Sequence, residues 1–147
     1  TFAGHLRAEP RIYGWMFDVL IRLPYKGVIM TDTRFTGTLD HIAVKCEDLS
    51  TSVEEYKRIG FAVETQYDDW AMMRDPKGFG IALLPPDSKH PPHFAIRVET
   101  MAQLEAAAAK EGRPIKPHRD GTSSFYTKGI DGNILEVIYF PDKSGNE

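Results

Sequence analysis

From Leu39 onward the chain alternates apolar and polar positions in short runs, switches to helical spacing, and then does both again. Asp40-His41-Ile42-Ala43-Val44-Lys45-Cys46-Glu47 aligns with Pro92-His93-Phe94-Ala95-Ile96-Arg97-Val98-Glu99: His falls on His, Ala on Ala, base on base and Glu on Glu. The same shift carries Asp48 onto Thr100 and Gly60 onto Gly112. Asp48 and Thr100 suit the N-cap of a helix, where a side-chain oxygen takes a free backbone N–H, and Thr100 with Gln103 has capping-box spacing. Gly60 and Gly112 suit the left-handed residue that ends a helix. Each copy therefore reads as strand, cap, helix and glycine stop.

Three strand-like runs follow each helix: Phe61–Tyr67, Trp70–Arg74 and Gly80–Leu84 in the first copy, and Pro114–Arg119, Ser123–Lys128 and Asn133–Phe140 in the second. Glycine-bearing turns at Asp75–Gly78 and Ile130–Asn133 join the last two runs of each copy, and the proline-rich segment Pro85–Pro92 links the copies. The order is βαβββ twice. The expected fold is α+β: two tandem modules, 38–86 and 91–140, forming a curled mixed sheet around a central cleft within a domain spanning 38–147. Strand alternation puts Ile42, Val44 and Cys46, and likewise Phe94, Ile96 and Val98, on an apolar face beneath a helix. His41, Ala43 and Lys45, and likewise His93, Ala95 and Arg97, then face the cleft.

Residues 1–37 break this pattern and read as an N-terminal arm. Tyr13, Trp15, Phe17 and Tyr25 give it an apolar patch, a short amphipathic helix fits Ile12–Leu23, and Met30 resembles a start residue. An apolar face of this kind calls for a partner surface, either a second subunit in a homodimer or the chain's own domain. His5, within the arm, is assigned no role.

A net charge of −3 argues against a nucleic-acid partner, since a basic field is what attracts phosphate. No apolar run approaches the roughly 20 residues that span a bilayer. Cys46 is the single cysteine, so neither an internal disulfide nor a cysteine cage for zinc can form, and a cytoplasmic location is the default expectation.

The candidate chemistry lies on the cleft face. Glu136 sits within the apolar run Ile134-Leu135-Glu136-Val137-Ile138-Tyr139, where an ionised carboxylate is disfavoured unless a cation or hydrogen-bond donors compensate it. Together with His41 and His93 it makes a facial three-ligand set with open positions, suited to Fe, Zn, Mn or Ni as a divalent ion. A salt bridge from Glu136 to Lys45 or Arg97 is the competing reading. Without that bridge, Lys45 and Arg97 have two readings, contact with an anionic substrate or simple solvation. In the first copy the position matching Glu136 is Ala82 or Leu84, depending on the alignment; both are apolar, so three protein ligands are expected. Phe125 reads as core, His90 as an exposed linker residue, His118 as a strand-edge residue, and Met72 and Met73 as core or pocket lining.

These motifs resemble the vicinal oxygen chelate superfamily, which includes glyoxalase I, extradiol dioxygenases, fosfomycin-resistance transferases, methylmalonyl-CoA epimerase and bleomycin-binding proteins. The carrying segments are Leu39-Asp40-His41-Ile42-Ala43-Val44 leading into Asp48-Leu49, Gly60-Phe61, and Asp131-Gly132-Asn133-Ile134-Leu135-Glu136-Val137, within residues 38–140. The resemblance implies a divalent metal on His41, His93 and Glu136 and a small-molecule substrate that chelates it through neighbouring oxygens. It also implies a catalytic role for Tyr126, which matches the tyrosine that extradiol dioxygenases and fosfomycin transferases place beside the substrate. Glyoxalase I uses a second carboxylate that neither Ala82 nor Leu84 supplies. Extradiol dioxygenases often carry a further active-site histidine, for which His118 is available. The implied function is a metal-dependent lyase, isomerase or extradiol-type dioxygenase. The alternative is non-catalytic sequestration of a ligand, as in the bleomycin-resistance proteins, with Trp70, Phe125, Tyr126 and Tyr139 as aromatic lining.

Overall fold

The computed structural model describes residues 34–141; the arm up to residue 33, with His5, lies outside them. The first module comprises β1 (Thr38–Lys45), α1 (Leu49–Arg58), β2 (Ala62–Tyr67), β3 (Trp70–Arg74) and β4 (Gly80–Leu84). The second comprises β5 (His93–Val98), α2 (Met101–Glu111), β6 (Lys116–Pro117), β7 (Ser123–Lys128) and β8 (Ile134–Tyr139). The caps form as the sequence leads one to expect. Thr51 N donates to the Asp48 carboxylate at 2.8 Å, and Thr100 and Gln103 close a capping box. Gly60 (φ 101°) and Gly112 (φ 63°) take the left-handed conformation that ends each helix. None of the described helices is long and apolar enough to cross a membrane.

All eight strands form one mixed sheet in the order β2-β3-β4-β1-β5-β8-β7-β6, with the two modules meeting along the antiparallel β1–β5 seam. Within each module the first strand pairs in parallel with the last, β1 with β4 and β5 with β8. The β6 run is shorter than expected: pairing with β7 is confined to Lys116 and Pro117. Pro114 and Pro117 lack the N–H that a longer ladder needs.

Each helix covers its own half-sheet. Leu49 and Val53 of α1 are buried with Ala71, Met73 and Leu83 of the sheet, and Val44 and Cys46 pack against them. Leu104, Ala107 and Ala108 of α2 are buried with Val98, Phe125 and Val137 of the sheet. Phe94 departs from the expected helix-covered face. It pairs with Ile42 on the seam and stays 41% exposed, while α1 packs on β2, β3 and β4 and α2 on β5, β7 and β8. A smaller buried cluster of Ala43, Met72, Ala82 and Leu84, with Trp70 packed against it, accompanies these two cores.

The seam carries one irregularity that bears on function. The β1–β5 register shifts between Leu39 and His41, which leaves Asp40 as an extra residue in β1. A bulge of this type re-aims side chains out of simple alternation. Here two consecutive polar residues, Asp40 and His41, are both buried.

Candidate metal centre

The cleft face gathers one polar side chain from each of three adjacent strands. His41 comes from β1, His93 from the start of β5 and Glu136 from the middle of β8, and all three are buried. Small neighbours leave room for this approach: Ala95 pairs with both His41 and Glu136, and Ala43 pairs with His93. The Nε2 atoms of His41 and His93 lie 3.3 Å apart, and Glu136 Oε2 lies 3.4 Å from the first and 3.0 Å from the second. Donors held about 2.1 Å from a common ion are roughly 3.0 Å apart at a right angle and roughly 3.4 Å apart at the tetrahedral angle. The three separations fall in that interval, so this donor set can hold a divalent ion.

Each donor is aimed by a second group. His41 Nδ1 donates to Asp40 Oδ2 at 2.7 Å, and His93 Nδ1 donates to the Pro91 carbonyl at 2.7 Å. Both acceptors fix the ring proton on Nδ1 and leave the Nε2 lone pair facing inward. Ser124 Oγ donates to Glu136 Oε1 at 2.6 Å, leaving Oε2 for the centre. Burial opposes ionisation of Glu136, but in the metal-free protein, when the imidazoles are also protonated on Nε2, hydrogen bonds from His41 and His93 and their charge overcome it and hold the carboxyl well below the usual range. Burial likewise works to lower the His41 pKa, and its two carboxylate neighbours, Asp40 and Glu136, raise it on balance.

The competing salt bridges to Glu136 do not form. Lys45 is exposed, and Arg97 Nη1 approaches Asp40 Oδ1 at 3.9 Å instead. The pairing register also settles which residue mirrors Glu136. Ala82 sits opposite Ala43 as Glu136 sits opposite Ala95, so the fourth position is a fully buried alanine that offers no ligand atom.

The centre opens into a cleft of about 370 Å³ lined by Tyr67, Trp70, Tyr126, Ile138 and Phe140 among others. Tyr126 lies directly across from Glu136 in the β7–β8 pairing, with its ring edge-on to His93 at 5.1 Å. Burial, reinforced by the Glu136 charge, pushes its phenol pKa upward. Its hydroxyl lies 3.0 Å from His90 Nδ1. His118, just past β6, also lines the cleft, 2.7 Å from Ser124 Oγ and 3.8 Å from Glu136 Oε1. Phe125 is core, as expected, and takes no part in the lining.

Asp40, Ser124 and His90 did not stand out from sequence. Ser124 could have been found, since it lies two residues before Tyr126 on the same strand face. Asp40 could not, because the bulge that buries it leaves no trace in the alternation. His90 is exposed, as a linker residue should be, and yet reaches Tyr126.

No protein-family model matches the sequence, and no curated relative matches it. Solved structures do. Methylmalonyl-CoA epimerase from Mycobacterium tuberculosis is 20% identical with a TM-score of 0.53, over 76% of this chain and 93% of that one. A glyoxalase/bleomycin resistance protein/dioxygenase superfamily member from Vibrio splendidus is 14% identical with a TM-score of 0.50, over 70% of this chain and all of that one.

The chain has the vicinal oxygen chelate fold.

The Mn(II)-bound glyoxalase from Novosphingobium aromaticivorans shares it at 19% identity and a TM-score of 0.55, over 69% of this chain and 37% of that longer one. Within this fold the paired βαβββ modules curl the sheet so that β1, β5 and β8 present their inward side chains to one cleft.

Proposed function

We propose that this chain is a divalent-metal-dependent enzyme acting on a small substrate that chelates the metal through neighbouring oxygens. The observation that carries the proposal is the convergence of His41 Nε2, His93 Nε2 and Glu136 Oε2 at separations of 3.0–3.4 Å. In this reading those three residues hold the ion, which when bound supplies Lewis acidity toward a substrate oxygen. The rest of the site belongs to the chain. A cleft of about 370 Å³ lies near the lower end of small-molecule sites and suits a compact substrate. The Tyr126 hydroxyl, protonated at neutral pH as a phenol ordinarily is, is available to donate to a substrate oxygen, and His90 Nδ1 stands 3.0 Å behind it. Burial of the donor set excludes bulk water and strengthens each of these interactions.

The reaction class within the fold, lyase, isomerase or extradiol-type oxygenation, belongs to this proposal, as do the homodimer and the cytoplasmic location. The test is to load the protein with Co(II), Mn(II) or Fe(II) and add catechol, or a hemithioacetal of a 1,2-dione, as probes of vicinal-oxygen binding. A change in the Co(II) visible spectrum that disappears in His93→Gln supports the proposal; no change with either probe would sink it. Sequestration is favoured by a different observation, the stacking of Tyr67 on Trp70 at 6.1 Å along the cleft wall. Tight binding of an aromatic ligand to chelator-treated protein, without turnover, would favour that reading.

A further inference from the structure

We propose that Asp40 and Arg74 are positioning residues that fix His41 as the pre-aimed ligand of the centre; the inference rests on the metal-binding reading above. The buried carboxylate of Asp40 exists on the cleft side because of the bulge between Leu39 and His41. Its Oδ2 accepts from His41 Nδ1 at 2.7 Å and from Arg74 Nη2 at 3.0 Å. Arg74 Nη1 also donates to the Asp40 carbonyl at 3.0 Å and to the Gly78 carbonyl at 3.2 Å, so one guanidinium grips both the backbone and the side chain of the bulge. Glu64 pairs with the same guanidinium at 3.2 Å. A chain of charge-assisted contacts thus runs from β2 through β3 into β1 and ends on a single ring nitrogen.

Gly80 makes the route possible. It pairs with His41 across β1 and β4, and a Cβ on it would meet both Arg74 Nη1 and His41 Cβ at 2.6 Å. The guanidinium occupies the space that a side chain at position 80 would need. His93 has no counterpart to this arrangement, since its Nδ1 is held by the neutral Pro91 carbonyl. A carboxylate partner fixes the ring tautomer more firmly and makes the opposite nitrogen a stronger donor than a carbonyl does. The two histidines are therefore unequal ligands despite their matched positions in the repeat.

The test compares Asp40→Asn, Asp40→Glu and Arg74→Met with the wild type, using Zn(II) against a competing chelator and NMR of the metal-free protein. Asp40→Asn should weaken Zn(II) binding about 10–100-fold, and Arg74→Met should weaken it less. Asp40→Glu, which keeps the charge, should recover part of the loss and serves if the asparagine variant folds poorly. In the metal-free wild type the Nδ1 proton of His41 should be protected from exchange. That signal should vanish in Asp40→Asn while the His93 signal stays. A lower melting temperature with unchanged Zn(II) affinity and an unchanged His41 signal would overturn the proposal, leaving a merely structural ion pair. A wild type that binds no Zn(II) would defeat the functional reading instead, and the metal-free His41 signal would still decide the positioning role.

Discussion

Replacing Glu136 with glutamine removes one negative charge from the centre and changes almost nothing in shape. The carboxylate accepts from Ser124 at 2.6 Å and lies 3.0 Å and 3.4 Å from the two imidazoles. A glutamine oxygen can keep the serine bond, but its amide nitrogen then faces two Nε2 lone pairs and cannot bind a cation. Breaking a buried charge pair costs about 3–5 kcal/mol; the lower figure applies here because His41 can shed its proton. The effect on metal is larger and more telling. Losing an outer partner of a ligand costs roughly 10–100-fold in affinity, so losing a charged ligand itself should cost at least about 100-fold. At a metal concentration about 100 times the wild-type Kd, binding stabilises the wild type by about 2.7 kcal/mol; a variant bound 100-fold more weakly gains only about 0.4 kcal/mol. For a chain of this size those gains correspond to rises in Tm of roughly 5–10 °C and roughly 1 °C. The assay is thermal unfolding of both proteins, chelated and metal-loaded. A Glu136→Gln protein whose Tm rises with metal as much as the wild type's would refute the assignment of this carboxylate as a ligand.

Three further outcomes follow from the same geometry. The folded-state pKa of His41 is raised, so its protonated form stabilises the metal-free protein below the ordinary histidine pKa, and that contribution is lost as pH rises through the raised value. Metal needs the deprotonated ring, so the stability gap between loaded and chelated protein should widen with rising pH, and calorimetry in buffers of different ionisation enthalpy should detect proton release on binding. Gly80→Ala should cost about 1–3 kcal/mol by overpacking and should also weaken metal binding, because the new methyl would press on His41 Cβ; chelator competition together with urea unfolding separates the two effects. Tyr126→Phe should leave metal affinity unchanged while lowering turnover of a chelating substrate about 100-fold or more, as expected for loss of an acid–base group, in steady-state assays.

What the sequence disclosed follows the repeat. Matching His41 to His93 revealed both first strands, the inward placement of the two histidines and the caps that follow, because backbone periodicity is written directly into the order of residues; Lys45 and Arg97, read onto the same inward face, are exposed instead. Glu136 was legible because a carboxylate in an apolar strand requires compensation wherever the strand lies. The departures occur where periodicity breaks. The bulge that turns Asp40 inward depends on cross-strand register, which no single strand reveals. The exposure of Phe94 depends on how far the two helices reach across the seam, and the contact of His90 with Tyr126 depends on how the proline-rich linker folds back over the cleft. Whether Ala82 or Leu84 mirrors Glu136 required the β1–β4 register, because the second module runs longer than the first between its helix-ending glycine and its closing turn.

Anomalous diffraction from crystals grown with Mn(II) or Zn(II) would locate the bound ion itself. One strong peak is expected about 2.0–2.2 Å from His41 Nε2, His93 Nε2 and Glu136 Oε2. A peak bound elsewhere on the chain, with these three side chains still paired only to one another, would contradict this assignment of the ligands.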